Sequence, residues 1–199
     1  MNLVDSDWRK LATHLLDDKI AFFNMNSTIY TIGHSTHPID EFIRILQAYK
    51  IELLVDVRTI PKSRHNPQFN KDDLMETLRK HDIAYTHLEG LGGLRHTTKT
   101  SINTAWKNSS FRGFADYMQT PEFTSSLETL IELGREKSTV IMCAEAVPWR
   151  CHRSLIGDVL LIRDIQVIDI MGEQISKPHQ LTPWAKVSGD EITYPGDGQ

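Results

Sequence analysis

Cysteine is scarce in this chain, two in 199 residues, which excludes a disulfide framework. No run approaches the roughly 18 apolar residues that a membrane span requires. The opening MNLVDSDWRKLATHLLDDKIAFF scatters charges where a signal peptide needs an apolar core, so it is read as no signal peptide. A reducing cytoplasm is therefore the expected compartment, where a lasting Cys143–Cys151 disulfide is disfavoured. There is no basic excess either: a net charge of −4 argues against a general nucleic-acid coat. It leaves room for a local basic groove, because steering depends on where charges sit. No GKS or GKT phosphate loop occurs, and LGGLR lacks the full dinucleotide fingerprint, so neither an ATPase nor an NAD enzyme is supported and no cofactor is expected. Repeats and low-complexity tracts are missing too.

What is present is ordinary globular material, 40% hydrophobic and 24% charged, the size of one domain. Trp8, Leu11, Leu15, Leu16, Ile20 and Phe23 form a helical stripe, predicting an appended N-terminal helix within residues 1–26. From 27 to 180 the pattern alternates. TIYTIGHS (28–35), ELLVDVR (52–58), IAYTHLE (83–89), STVIMCAE (138–145) and IQVIDIM (165–171) read as strands. The stretches between them read as helices: one starting around Thr36 and Pro38, one capped by Asn70, then FRGFADYM, PEFTSSLETLIELGRE and SLIGDVLLIRD. Residues from about 90 to 110 have loop composition and are long for a compact domain, a length usually tied to function or disorder. The chain beyond 172 shows little periodicity, and 181–199 reads as a surface tail.

Strand–helix alternation implies an α/β, Rossmann-like fold: a parallel or mostly parallel sheet with helices on both faces. Ligands of such sheets bind beyond the carboxyl ends of the strands. The residues that follow the strands are loaded with reactive types. The first strand leads into His34 and Ser35. The second ends in Asp56 and Arg58, followed by Ser63 and Arg64. After the third come Gly92, Gly93 and Arg95. The fourth leads into Cys143, Glu145, Arg150, Cys151, His152 and Arg153.

These segments resemble the DUF488 family, on Thr31-Ile-Gly-His-Ser35, Val55-Asp-Val-Arg58 with Pro61, Ser63 and Arg64, Tyr85 with Leu91-Gly-Gly93 and Arg95, and Cys143-Ala-Glu145 with Cys151-His-Arg153. The resemblance covers roughly residues 28–180, and His179 matches a histidine that members often carry beyond the last strand. It implies a Rossmann-like α/β domain and these residues as a site, with no reaction attached; some members carry a DNA-repair label.

The residue types suggest what the site handles. Arg58, Arg64, Arg95, Arg150 and Arg153, with His34 and His152, predict a positive crevice on a negative protein, suited to phosphate or carboxylate. The competing reading is that Arg58 and Arg64 pair with Asp56, Glu89 or Glu145 and knit loops together. Cys151, beside Arg150, His152 and Arg153 near a helix start, has the surroundings of an activated thiolate. Cys143 ends a strand as rhodanese and cysteine-phosphatase nucleophiles do, but six residues separate it from Arg150 where those enzymes use a shorter cradle; it reads equally as a small buried hydrophobe. Zinc sites usually show ligands two to four residues apart, and here the only close pair is adjacent Cys151 and His152, so no metal ligand is assigned.

The expected ligand is thus an anionic small molecule or nucleic acid, with no membrane partner. Cys151, Glu145, His34 and Asp56 are the candidate catalytic residues. Ser35, Arg58, Ser63, Arg64, Tyr85, Gly92, Gly93, Arg95, Cys143, His152 and Arg153 are the candidate ligand-binding ones. The leading reading is an enzyme acting on a phosphate-bearing substrate. The alternatives are a nucleic-acid or nucleotide binding module using Arg58, Arg64, Arg95 and Arg112 with Trp106, Phe111 and Phe114, and a cysteine redox or metal site.

Overall fold

Alternate residues of the strands go to opposite faces, so a strand apolar at every position must be covered on both. Thr139–Cys143 (β4) is buried at all five positions. Val140 and Met142 face one hydrophobic cluster, Ile141 and Cys143 the other. In the computed structural model, which describes residues 28–196, β4 lies inside a six-stranded sheet. Thr28–Gly33 (β1), Leu53–Asp56 (β2), Ala84–His87 (β3), β4 and Gln166–Gly172 (β5) are parallel, in the order β3-β2-β4-β1-β5. Ile175–Pro178 (β6) adds an antiparallel edge, so the sheet is mostly parallel and the fold broadly Rossmann-like. The N-terminal helix expected within residues 1–26 lies outside the described residues.

The order explains where the helices go. Ile39–Ala48 (α1) and Lys71–Lys80 (α2) connect β1 to β2 and β2 to β3, moving outward in one direction. Ser109–Tyr117 (α3) and Pro121–Glu136 (α4) return to β4, and Arg153–Leu161 (α5) goes on to β5 in the opposite direction. Right-handed crossovers therefore place α1 and α2 on one face and α3 to α5 on the other. The two clusters divide in that way: Phe42, Leu46, Leu74 and Leu78 pack with Ile32, Leu54 and Met142, while Phe114, Leu127, Ile131 and Leu155 pack with Ile29, Val55 and Ile141. Since β4 leads to one face and both its neighbours to the other, their loops part at its carboxyl end, which opens a crevice there.

Two expectations are revised by packing. Asn70 does precede α2, but its Oδ1 accepts Ser63 N–H at 2.8 Å instead of capping the helix, and so pins the loop after β2. The surface tail is in part a lid on the core. α5 is buried at eight of nine positions, as a helix covered on both sides must be. The C-terminal segment supplies the second cover: Ile192, from the hairpin of Lys186–Ser188 (β7) and Glu191–Thr193 (β8), and Tyr194 are both buried. Asp158, mid-helix and fully buried, accepts Tyr194 Oη–H at 2.8 Å and Thr182 N–H at 3.0 Å. His179 lies between Asp158 (3.2 Å) and Asp169 (3.0 Å). The long loop is likewise held in place, by Asp116, which accepts from Thr98 N–H, Ser101 Oγ and Asn103 Nδ2.

Candidate functional site

β1 and β4 come together at their carboxyl ends with no side chain between them. A Cβ on Gly33 would lie 1.8 Å from the carbonyl oxygen of Glu145, so only glycine fits. The parallel ladder runs on past the strands, with His34 N–H on Cys143 O and Ser35 N–H on Ala144 O, both 2.9 Å. Ser35 takes the left-handed turn, φ 46°, that leads to α1. From Ala144 the loop passes through a 3-10 turn, Pro148–Arg150, and returns. The backbone is then extended at Cys151 (φ −133°, ψ 145°) and helical at His152 (φ −57°, ψ −15°). That change of conformation turns two adjacent side chains to the same place: Cys151 Sγ lies 3.6 Å from His152 Nδ1, and Cys143 Sγ lies 4.0 Å from it.

The imidazole has a fixed role in this geometry. His152 Nε2 is 3.1 Å from the carbonyl oxygen of Val57, which can only accept, so Nε2 carries a proton and Nδ1 is the ring nitrogen that faces the sulfurs. Gly93 lies on the ring face: a Cβ there would be 2.4 Å from Nδ1 and 2.7 Å from Cγ, so the residue must lack one. Phe114 meets the ring edge-on, centroids 4.9 Å apart.

Both cysteines are buried free thiols, and they differ in character. Cys151 is held well below the usual thiol range, first by a hydrogen bond from Cys143 and then, against the cost of burial, by His152 and the Arg153 charge. Arg153 Nε–H points at Cys151 Sγ from 3.4 Å. Cys143 is pushed up by the same hydrogen bond and by burial. Of the two, Cys151 is therefore the sulfur that ionises more readily, with Cys143 as its hydrogen-bond donor.

The second constellation is closed on itself. Asp56, fully buried, accepts from Arg58 N–H (3.0 Å), from Arg58 Nε and Nη2, and from Tyr85 Oη–H at 2.9 Å. Burial and the Asp56 charge raise Tyr85 well above the usual phenol range. Arg58 also donates to Phe69 O at 2.8 Å. His34 donates from Nδ1 to Ser35 O and turns Nε2 toward Arg58 Nη1 at 3.4 Å, stacked on Phe69 at 4.3 Å. Burial lowers it to about 4, so at neutral pH it is an uncharged acceptor.

A cavity of about 350 Å³ opens above the thiols, lined by Cys143, Glu145, Cys151 and His152 on one side and by Arg58 and Gly93 on the other. Exposed Ile60 and Leu94, with Phe111, line it too. Lys62, Arg150 and the Glu145 carboxylate also line it and have no charged partner among the described residues. Of the residues expected from sequence, Cys143, Glu145, Cys151, His152, Arg58 and Gly93 meet here. His34, Asp56, Tyr85 and Arg153 support from behind. Ser63 Oγ accepts Asn66 N–H within its loop, and Arg64 is exposed away from the cavity. Gly92 packs on Thr59. Arg95 binds the carbonyls of Gly92 and Glu89 and stacks 3.7 Å over Tyr117. Phe114 is core, and Arg112 is bonded to Trp106 O.

Ile60, Lys62 and Leu94 were not anticipated; they sit in loops, where no periodicity marks a residue as a lining one, whereas Phe111, named for the binding-module reading, lines the cavity from α3. Among the described residues no helix is long and apolar enough to cross a membrane. No curated protein and no solved structure matches the chain. The model of the family described as Domain of unknown function DUF488 matches residues 38–160, a span that includes both cysteines, His152, Arg58 and Gly93, and the chain belongs to that family.

Proposed function

We propose that the chain is an enzyme acting on a phosphate-bearing small molecule or a nucleic-acid end bound in this cavity. One observation carries the reading: two sulfurs and an imidazole nitrogen converge at the floor of a cavity that also holds two unpaired cations, Lys62 and Arg150. A cysteine beside a histidine and an arginine is in the surroundings that lower a thiol pKa and make cysteine reactive. Unpaired cations on the wall favour an anion without first giving up another partner. Glu145, the one carboxylate lining the cavity, is the group available to exchange a proton with the ligand.

Arg58, Arg64 and Arg95 contribute less than their number suggests. Arg58 is neutralised by Asp56, Arg95 is spent on carbonyls and Tyr117, and Arg64 lies outside the cavity. The anion-binding share of the reading therefore moves to Lys62 and Arg150.

The test is thermal stability against nucleotides, sugar phosphates and short oligonucleotides, since a ligand bound only by the native state raises the midpoint. A ligand that raises Tm for the native chain and loses most of that effect with Arg150→Ala supports the reading. A blank panel, or a shift untouched by both Arg150→Ala and Lys62→Ala, removes it. With a ligand in hand, turnover must fall in Cys151→Ala and Glu145→Gln while binding persists.

A further inference from the structure

We infer that Cys143, Cys151 and His152 form an open three-ligand site for a thiophilic divalent cation of the zinc class, with its fourth position facing the cavity. This rests on reading the cavity floor as the reacting centre and specifies what holds that centre together.

The donor atoms are already assembled. The two Sγ atoms and the imidazole nitrogen lie within 4.8 Å of one another. Around a tetrahedral zinc, bond lengths of roughly 2.3 Å to sulfur and 2.0 Å to nitrogen put sulfur and nitrogen roughly 3.5 Å apart and two sulfurs roughly 3.8 Å apart. The observed 3.6 Å and 4.0 Å from Nδ1 to the sulfurs are close to that edge length. Closure onto an ion asks for side-chain rotations moving the sulfurs by about an ångström or less.

The surroundings are those of ligands, beyond mere proximity. A metal-bound histidine gives its other ring N–H to a carbonyl or carboxylate, which fixes the tautomer and ring angle. His152 Nε2 does this to Val57 O at 3.1 Å. Nδ1 is the nitrogen nearest the sulfurs, while Gly93 covers the ring face and leaves the ring edge open to an ion. Arg153 Nε–H on Cys151 Sγ is the kind of donor that steadies a coordinated thiolate. Arg153 is itself anchored by Glu145 O at 2.7 Å.

Three protein ligands around a zinc-class ion leave one position for water or a ligand atom. All three residues line the cavity, so that position falls where the substrate enters. Protons still held by Cys143, Cys151 or His152 Nδ1 leave to solvent as the ion binds, and the two resulting thiolates balance its charge. An anionic oxygen or water in the fourth position then lies beside Lys62, Arg150 and Glu145.

Cobalt(II) is the probe, added to the reduced, metal-free full chain. Expected are saturation at one ion per chain, a thiolate-to-cobalt charge-transfer band and the strong visible absorption of a four-coordinate ion, all displaced by zinc. Cys143→Ser and Cys151→Ser each weaken binding by more than about tenfold, since loss of a supporting outer contact alone typically costs that much. Cooperative unfolding of each variant without metal checks its fold. If both variants fail to fold, the spectrum of the unmodified chain decides. A folded, reduced chain giving no thiolate-to-cobalt band overturns the inference. If that chain still shows the anion-dependent stabilisation lost in Arg150→Ala, only the metal site fails; a cobalt spectrum with a blank ligand panel fails the substrate reading instead.

Discussion

Removing the positive charge at His179 should change how stability depends on pH, and by a calculable amount. His179 is nearly sealed from solvent, with Asp169 on Nδ1 and Asp158 on Nε2. Burial alone would lower its pKa, but hydrogen bonds to Asp158 and Asp169, and then their charges, outweigh that and raise it from 6.5 to about 9. Between those values the native chain keeps a proton that the unfolded chain has released. The contribution is therefore present in full below pH 6.5 and is lost as pH rises through about 9. At about 1.4 kcal/mol per pH unit, that gap corresponds to about 3 kcal/mol. Cys151 works in the opposite sense, because its thiolate is native-like and favoured by rising pH. The total curve thus mixes the two, and the difference between chains isolates His179. Urea unfolding of the native chain and of His179→Gln, from pH 6 to above pH 9, is the assay. The gap should be widest at pH 6 and shrink by about 3 kcal/mol at the top of the range. A gap that stays constant across that range would refute a charged His179 clamp.

Other expectations follow from the same geometry. Arg58→Ala leaves the buried Asp56 carboxylate without its cation and should cost about 3–5 kcal/mol in chemical denaturation; Tyr85→Phe, which removes one hydrogen bond, should cost about 1 kcal/mol. Iodoacetamide at neutral pH should label Cys151 before Cys143 in peptide mass spectrometry, and the reverse order would show that the thiolate sits on the other sulfur. Gly33→Ala has no room for its methyl group against the Glu145 carbonyl and should lower stability by at least about 1–3 kcal/mol, with the thermal midpoint as readout.

Much of the frame is legible in local sequence. All-apolar runs such as LLV in β2 and VIMC in β4 demand burial on both faces, and helical stripes between them demand crossovers. From those two facts follow the mostly parallel sheet and the edge at which reactive residues gather, and Gly33, Cys143, Cys151 and His152 could be placed there. What those residues do with one another was not legible. Strand order is set by packing, and only the insertion of β4 between β1 and β2 brings Cys143 level with Gly33 and Met142 level with Asp56. Whether an arginine meets a ligand or a carboxylate depends on which is nearer in space, and Asp56 claims Arg58 before any ligand can. Adjacency of Cys151 and His152 argued against their meeting at one ion; the switch from extended to helical backbone between them brings Sγ and Nδ1 within 3.6 Å, which no spacing shows. Asp158, an acid amid the apolar residues of α5, needs a partner when buried, yet His179 and Tyr194 are reached only by folding the C-terminal segment over α5. Sequence determined which segments must be buried, because apolar periodicity is local. Tertiary structure alone decided which polar groups are paired and which stay free for a ligand, because pairing depends on residues far apart in the chain.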